Sequence, residues 1–451
     1  MNSSYIIENF DIQTLKILSK HAEYSFSCSL EGALSLEKDF IFIPLIAFTE
    51  VESVLKSVLG NPYCKGIVFD RKLMRNQNFR IMYSSLMKKY GSKLEFIALV
   101  PNIYNFAFSL VLEISKDFKG EVISAVGTSG TFETVDLLKY SMQGKYQITS
   151  TNESWNCWQK VFEPFFMVDE NTNYVLIEVI PDKVDLTSLV SMIRRNNVIF
   201  TNLSIFNMNL YENMENLSDE MLKILSNSRF IKSITISESN QLVDYIPSSF
   251  SKILNLVVGF KDKSRLKLNP NYSYLETFCE LVFSFLEYKD IIPRFFDKYD
   301  STSKLYNIFE REDIDYFVVN PVRANFSSSL SSVKKFCELY KDKQKVIVFE
   351  YFRNLGKYKN SVYSEFMKAL ADVNPSNLIL VNVNNYNHYF RRYNKSAYVQ
   401  NIKYSTDDLQ SVEKLKLFMA DLKKFKNSAI YIQLNDNTKA LLQEVDSEIF
   451  N

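Results

Sequence analysis

One short segment of the sequence combines residue types that could bind phosphate. Residues 126–134 read Val-Gly-Thr-Ser-Gly-Thr-Phe-Glu-Thr and follow directly on a strand-like run, Glu121–Val126. A strand, a glycine loop and a helix in this order are typical of a phosphate-binding α/β unit, in which backbone N–H groups cradle the phosphates. A working loop carries a lysine after its second glycine and then a hydroxyl for Mg²⁺. Here Thr131 stands at the lysine position, Phe132 at the hydroxyl position, and Glu133 puts a carboxylate where phosphate charge would lie.

The glycines of this loop are informative because the chain has only 10 glycines in 451 residues. A glycine in a glycine-poor chain is more often required by backbone conformation or by a close approach. Two interpretations follow. The loop descends from a phosphate-binding loop, or it is a tight strand-to-helix turn that binds nothing.

The loop resembles that of the Mur ligases, ATP-dependent peptide-forming enzymes of cell-wall synthesis. Their loop reads Gly-Thr-(Asn/Ser)-Gly-Lys-Thr-(Thr/Ser)-Thr, and the matching positions of this chain are Gly127, Thr128, Ser129, Gly130 and Thr134. The resemblance implies a vestigial nucleotide-binding site, a degenerate P-loop, formed by these residues and Thr131. It also implies ATP and Mg²⁺ as the cofactors of any active form.

Later segments resemble the same family in the same order. Residues 149–156 resemble its Thr-x-Gly-Asn-x-Asn stretch without the glycine, and residues 175–179 resemble the strand that ends in a metal-binding glutamate, here Glu178. Residues 200–207 resemble the Thr-Asn-Ile-x-x-x-His segment, with Asn207 in place of the metal-binding histidine. Glu178 and Asn207 are therefore the candidate metal ligands. The structural alternatives are a solvated or capping acid and a structural amide.

The C-terminal third adds two matches. Residues 320–328 resemble Asp-x-Tyr-Asn-Ala-Asn-Pro-x-Ser and keep Asn325, which the resemblance assigns to the nucleotide site and which could instead shape a loop. Residues 348–356 resemble Val-Leu-Gly-x-Met-x-Glu-Leu-Gly. The resemblance covers about residues 38–375 and points to the branch that adds D-alanyl-D-alanine to a muramoyl tripeptide (MurF). The N-terminal third lacks the Asp-Ser/Thr-Arg motif that binds the UDP-sugar in this branch.

Alternation of strand-like and helical patterns along the whole chain predicts an α/β protein with mostly parallel sheets. The predicted elements include strands at Glu121–Val126 and Tyr174–Val179, a helix from about Thr134 to Met142, and C-terminal helices at 409–425 and 437–445. Boundaries near Lys119-Gly120 and the polar segment 297–303 divide it into three domains. These are an N-terminal α/β domain (1–116), a central Mur-ligase-like domain with the degenerate P-loop (117–303) and a C-terminal Rossmann-like domain (304–451).

Composition excludes several classes of protein. With 53 basic and 52 acidic residues, the chain has no global field to attract nucleic acid. Its N-terminus lacks the pattern of a signal peptide, and no apolar run is long enough to insert into a membrane. The five cysteines are scattered. We expect a cytoplasmic protein with reduced thiols.

Two functions remain after these exclusions. The first is a pseudoenzyme that acts as a binding or scaffold protein near cell-envelope or surface-polysaccharide synthesis, with a nucleotide-sugar or peptide ligand or a protein partner. The second is a divergent ATP-dependent amide ligase that joins an amine to a nucleotide-sugar-linked or peptide carboxylate. The second requires a relocated lysine, such as Lys139 or Lys160, to supply the missing charge. We therefore ask whether a lysine from elsewhere reaches the loop at Gly127–Thr131.

Overall fold

The structure is a computed structural model. It describes residues 13–17, 24–45, 51–152, 155, 157–181, 186–205, 208–259, 275–291, 296, 299, 306–311, 313–319, 326–350, 352, 355–381, 391–392, 398–402 and 420–434. By contacts, the chain divides into two compact units, one formed by residues 1–202 and 219–299 and the other by 203–218 and 300–451. Within the described ranges, no helix combines the length and apolar character needed to cross a bilayer.

The first sheet has the strand order β1-β5-β4-β3-β2. Its strands are parallel except for β1, which pairs antiparallel with β5. The elements are β1 (Gln13–Ile17), β2 (Ser25–Ser27), α1 (Leu30–Ser35), β3 (Phe40–Phe42), α2 (Val51–Gly60), β4 (Cys64–Asp70), α3 (Gln77–Tyr90), β5 (Phe96–Val100) and α4 (Ile103–Asp117). Apolar residues of strands and helices meet in one core, for example Phe42, Leu55, Ile67 and Phe79.

The second sheet is parallel throughout, in the order β11-β10-β9-β6-β8-β7. Its elements are β6 (Glu121–Val126), α5 (Thr131–Met142), β7 (Ile148–Ser150), α6 (Cys157–Phe166), β8 (Tyr174–Val179), α7 (Leu186–Val190), β9 (Asn196–Phe200), β10 (Ile231–Ser237), β11 (Leu254–Val257) and α10 (Glu276–Tyr288). Between β9 and β10 the chain forms α8 (Met208–Tyr211), which belongs to the other compact unit, and α9 (Met214–Leu222), which starts in that unit and ends in this one. Helices α5 and α10 pack on the sheet through Leu137, Val282 and Phe285. Because parallel strands end at one edge, the loops after β6, β8 and β9 lie close together.

The third sheet has the order β12-β13-β17-β14-β15-β16, parallel except for the hairpin pair β12–β13. Its elements are β12 (Tyr306–Arg311), β13 (Ile314–Val319), α11 (Phe326–Leu339), β14 (Gln344–Glu350), α12 (Lys359–Asp372), β15 (Asn377–Val381), β16 (Tyr398–Ile402) and β17 (Ser428–Gln433). Tyr316, Val348 and Ile430 belong to its core.

The predicted α/β class with parallel sheets is confirmed. Strands β1, β2, β7, β12 and β16 were not predicted, since polar residues interrupt each of them and none is a continuous apolar run. The expected helix at 437–445 lies outside the described residues, as does most of the one expected at 409–425.

Candidate nucleotide-loop site

The glycine loop joins β6 to α5 as the sequence predicts. Gly130 is the N-cap of α5, with φ +77° and no side-chain cap. A Cβ atom there would lie 2.0 Å from a ring carbon of Phe278, so both the backbone conformation and the packing require glycine. The Thr134 hydroxyl donates to the Gly130 carbonyl at 2.7 Å and closes the first turn.

The segment that follows β9 holds the loop from the other side. The Thr128 N–H donates to the Asn202 carbonyl at 2.9 Å, and the Thr201 hydroxyl donates to the Ser129 carbonyl at 2.7 Å. The Asn202 amide also donates to the Ser129 hydroxyl at 3.1 Å. A Cβ atom on Gly127 would lie 2.0 Å from the Thr201 hydroxyl oxygen. Contacts within the chain thus explain both glycines, without a ligand.

A buried carboxylate stands beside the loop because β8 is the neighbour of β6. The register pairs Ala125 with Glu178, one residue before the end of each strand. One oxygen of Glu178 accepts a hydrogen bond from the Thr131 hydroxyl at 2.7 Å. The other lies 2.6 Å from the ammonium of Lys160, which comes from α6. The side chains of Lys160 and Glu178 are 10% and 3% exposed, so the charges neutralise each other out of contact with bulk water.

This arrangement does not fit the divalent cation that the resemblance implies. Mg²⁺ binds carboxylate oxygens at about 2.1 Å and keeps several waters, which needs an open and solvated oxygen. The Thr131 hydroxyl holds one oxygen of Glu178. The other has no hydrogen-bond partner within the described ranges and faces the Lys160 ammonium at 2.6 Å as an ion pair, and both oxygens are almost fully buried. Among the described residues, no group of three or more His, Cys, Asp or Glu side chains could hold a metal ion. Asn207, the other candidate ligand, lies outside the described residues, as does Asn325.

The first turn of α5 is closed to solvent. Thr131, Phe132 and Glu133 are 3%, 9% and 9% exposed. A carboxylate at a helix N-terminus interacts favourably with the helix dipole. It also repels a phosphate at the same place, so Glu133 stabilises the helix and disfavours the ligand of an ordinary loop.

The lysines considered in the sequence lie in different places. Lys139 is exposed in the last turn of α5, about 12 Å along the helix axis from Thr131. Lys160 is the lysine that the structure brings to the loop, and its charge is directed to Glu178.

Helix α6 also carries a second buried carboxylate, which sequence reasoning missed. Glu163 accepts hydrogen bonds from the Ser27 hydroxyl at 2.7 Å, the Cys28 N–H at 2.5 Å and the Ser29 N–H at 3.0 Å. One turn earlier, the Gln159 amide donates to the Cys28 carbonyl at 2.8 Å. Burial raises the pKa of the Glu163 carboxyl, while these hydrogen bonds act in the opposite direction. The sequence shows three polar residues, Gln159, Lys160 and Glu163, on a largely apolar helix, and the i, i+4 spacing of Gln159 and Glu163 places these two on one face without indicating their partners.

Comparison with known proteins places this geometry in a known fold. No family model matches the chain, and no curated protein matches its sequence. Among solved structures, MurF from Acinetobacter baumannii superposes with a TM-score of 0.65 at 10% identity, covering 94% of this chain and 93% of that one. MurF from Thermotoga maritima in complex with ADP gives 0.61 at 11% identity, covering 95% and 98%. A pseudomurein peptide ligase type C from Methanothermus fervidus gives 0.56 at 11% identity, covering 95% and 100%. The resemblance predicted from the loop and from the ordered segments is thus confirmed as a likeness of fold: the chain has the architecture of the Mur ligases.

Proposed function

We propose that this protein is a Mur-ligase-fold pseudoenzyme, a binding or scaffold protein that does not hydrolyse ATP at its glycine loop. One observation carries the proposal. Thr131, the residue at the lysine position, donates a hydrogen bond from its hydroxyl to Glu178. The charge of the Glu178 carboxylate is neutralised by the buried Lys160. The groups that would have to meet phosphate and metal are bonded to one another.

The physical argument concerns the charge of the transferring phosphate. Phosphoryl transfer depends on cations that stabilise charge developing on the phosphate oxygens. Removing one such preorganised contact typically costs on the order of 3 kcal/mol of transition-state stabilisation. Here the loop lysine and the metal hydroxyl are replaced by Thr131 and Phe132, the candidate metal carboxylate is occupied, and Glu133 adds repulsion.

The likeness of fold supports a setting for the proposed function. The similar structures include MurF and a pseudomurein peptide ligase, which are named for cell-wall polymers. A chain that keeps this architecture without the phosphate chemistry fits a role in cell-envelope or surface-polysaccharide synthesis. Its ligand would be a nucleotide sugar, a peptide or a protein partner.

The test is an assay of the purified native chain with Mg-ATP, UDP-muramoyl tripeptide and D-alanyl-D-alanine. We expect phosphate release no higher than in a matched Glu178→Gln sample, while an active MurF serves as the positive control. Amide formation coupled to ATP cleavage in the native chain would refute the pseudoenzyme.

A second candidate function, the divergent ligase, is favoured by one observation. Lys160 brings a positive charge to Glu178, which is hydrogen-bonded to the loop residue Thr131. If that charge served a phosphate, ATP cleavage would be measurable in the native chain and lost in Lys160→Met.

A further inference from the structure

We infer that Lys160 is an internal substitute for the divalent cation at this loop, so that the negative charge of Glu178 is balanced without a metal ion. The inference deepens the proposed function and rests on it, because it explains how the loop stays folded without nucleotide or Mg²⁺. It assigns a role to Lys160 that the loop sequence alone does not give.

The first step is the electrostatics of Glu178. Its side chain is 3% exposed, and a carboxylate so deeply buried needs a counter-charge or a proton. The Thr131 hydroxyl supplies one hydrogen bond and no charge. Lys160, 2.6 Å from the other oxygen, supplies the charge. A divalent cation would occupy the same side of the carboxylate, and the two cannot be bound there together.

The second step is how Lys160 is held in place. Its neighbours on α6, Gln159 and Glu163, are anchored by hydrogen bonds to the segment 27–29 of the first sheet. All three side chains lie on one buried helix, so the ammonium is positioned before any ligand arrives. A surface lysine would have to lose side-chain entropy to do the same.

The third step is the consequence for the loop residue 131. Thr131 and Lys160 contact the two oxygens of the same carboxylate. A lysine introduced at position 131 would place a second ammonium against one Glu178, and like charges at this distance disfavour each other. Thr131 and Lys160 therefore act as a pair. Together they replace the lysine and the divalent cation of an ordinary loop.

The main experiment measures thermal midpoints and Mn²⁺ binding, the latter by electron paramagnetic resonance, for the native chain, Lys160→Met and Lys160→Met/Glu178→Gln. Native protein should bind no Mn²⁺ through Glu178, and its midpoint should be the same in EDTA and in millimolar Mn²⁺. Lys160→Met should lose about 10 °C, as expected for a buried charge left unpaired. Millimolar Mn²⁺ should restore part of that loss in Lys160→Met and none in the double variant.

Three results would overturn the inference. The first is Mn²⁺ binding by the native chain that disappears in Glu178→Gln. The second is a Lys160→Met midpoint equal to the native one in EDTA. The third is a destabilised Lys160→Met that no divalent cation restores, because Lys160 would then stand where a metal cannot enter. Should Lys160→Met fail to fold, Mn²⁺ binding by native protein and by Lys160→Arg decides: the inference predicts none through Glu178 in either.

A second experiment uses ATP calorimetry on two matched variants. Thr131→Lys/Phe132→Thr should bind Mg-ATP no better than native, and adding Lys160→Met should raise the affinity at least about tenfold by removing the competing charge. Equal binding by the two variants would overturn the inference.

The two proposals can fail separately. ATP hydrolysis that continues in EDTA would refute the pseudoenzyme and leave the role of Lys160 standing. A Glu178-dependent Mn²⁺ site without any ATP cleavage would refute the role of Lys160 and leave the pseudoenzyme standing.

Discussion

Two sites in the molecule contain the same triad, a buried glutamate that accepts a hydrogen bond from a threonine and pairs with a lysine. At the glycine loop, Glu178 accepts from the Thr131 hydroxyl at 2.7 Å and pairs with Lys160 at 2.6 Å. Away from the loop, Glu220 accepts from the Thr187 hydroxyl at 2.7 Å and pairs with Lys223 at 2.8 Å. Both carboxylates are 3% exposed.

The two triads differ in their lysines. Lys223 lies three residues after Glu220, and its side chain is 42% exposed. Lys160 comes from a different element than Glu178, and its side chain is 10% exposed. In the Glu220 triad the lysine is a neighbour of the glutamate in sequence, and water can also solvate its ammonium. The Glu178 triad joins α5, α6 and β8 and has no such alternative. The comparison teaches that the exposure of the lysine decides how much such a pair matters.

The largest expected difference comes from removing each lysine. Lys160→Met leaves Glu178 buried without its counter-charge, which we expect to lower the free energy of unfolding by about 3–5 kcal/mol. Lys223→Met leaves an equally buried Glu220 without its lysine, but water already reaches the half-exposed ammonium and can solvate that side of the carboxylate, so the loss should be smaller, about 1 kcal/mol. Urea denaturation of both variants at pH 7 measures the two losses. Equal losses would break the comparison.

A third buried carboxylate, Glu163, sharpens the comparison of the two triads, because its hydrogen-bond donors from Ser27, Cys28 and Ser29 are neutral. Burial raises its folded-state pKa above the ordinary 4.5, so the folded chain binds more protons than the unfolded chain between the two pKa values. The free energy of unfolding therefore falls as pH rises from 4.5 through that window. Glu163→Gln should lack this part of the pH dependence, because it has no group to titrate there.

The measurement is urea denaturation of native protein and Glu163→Gln at pH 5 and pH 8. The variant should gain stability relative to native between the two pH values. A relative loss would mean that the hydrogen bonds from Ser27, Cys28 and Ser29 outweigh burial.

The smallest expected effect is that of salt. Raising NaCl from 0.05 M to 1 M should weaken the coupling energy of Lys223 and Glu220 by a few tenths of a kcal/mol, since exposed charges are screened. The coupling of Lys160 and Glu178 should stay unchanged. Double-mutant cycles at both salt concentrations give the two values, and a salt-sensitive Lys160 pair would show that water reaches it.

The sequence predicted the framework of the site better than its interior. Strands Glu121–Val126 and Tyr174–Val179 were predicted at their observed bounds, because each is an apolar run with clear ends. Helix α5 starts three residues before its predicted start, since Gly130 in the left-handed region already begins the turn. Lys160 was named as a relocated lysine, yet its partner could not be inferred. Glu178 reaches the loop residue Thr131 because the strand order places β8 beside β6, and a single sequence does not give strand order.

The structural role of Glu163 escaped prediction for a related reason. Its donors lie 134 to 136 residues earlier in the chain, and a single sequence gives no signal for contacts at such separation. The glycines show the opposite case. Their importance was predicted with two possible reasons, phosphate binding or a tight strand-to-helix turn. In the structure a Cβ atom on Gly127 would clash with Thr201 and one on Gly130 with Phe278.

The anchoring of α6 has a consequence for the mutational history of the chain. Lys160 shares its helix with Gln159 and Glu163, whose hydrogen bonds to the first sheet hold that helix in place. A lineage that acquired a lysine at position 131 would meet Lys160 still fixed there, and a lineage that first lost Lys160 would expose the cost of an unpaired Glu178. Each single step is disfavoured until the other has been taken. Positions 131 and 160 are therefore epistatic, and a change between the two arrangements needs both substitutions together.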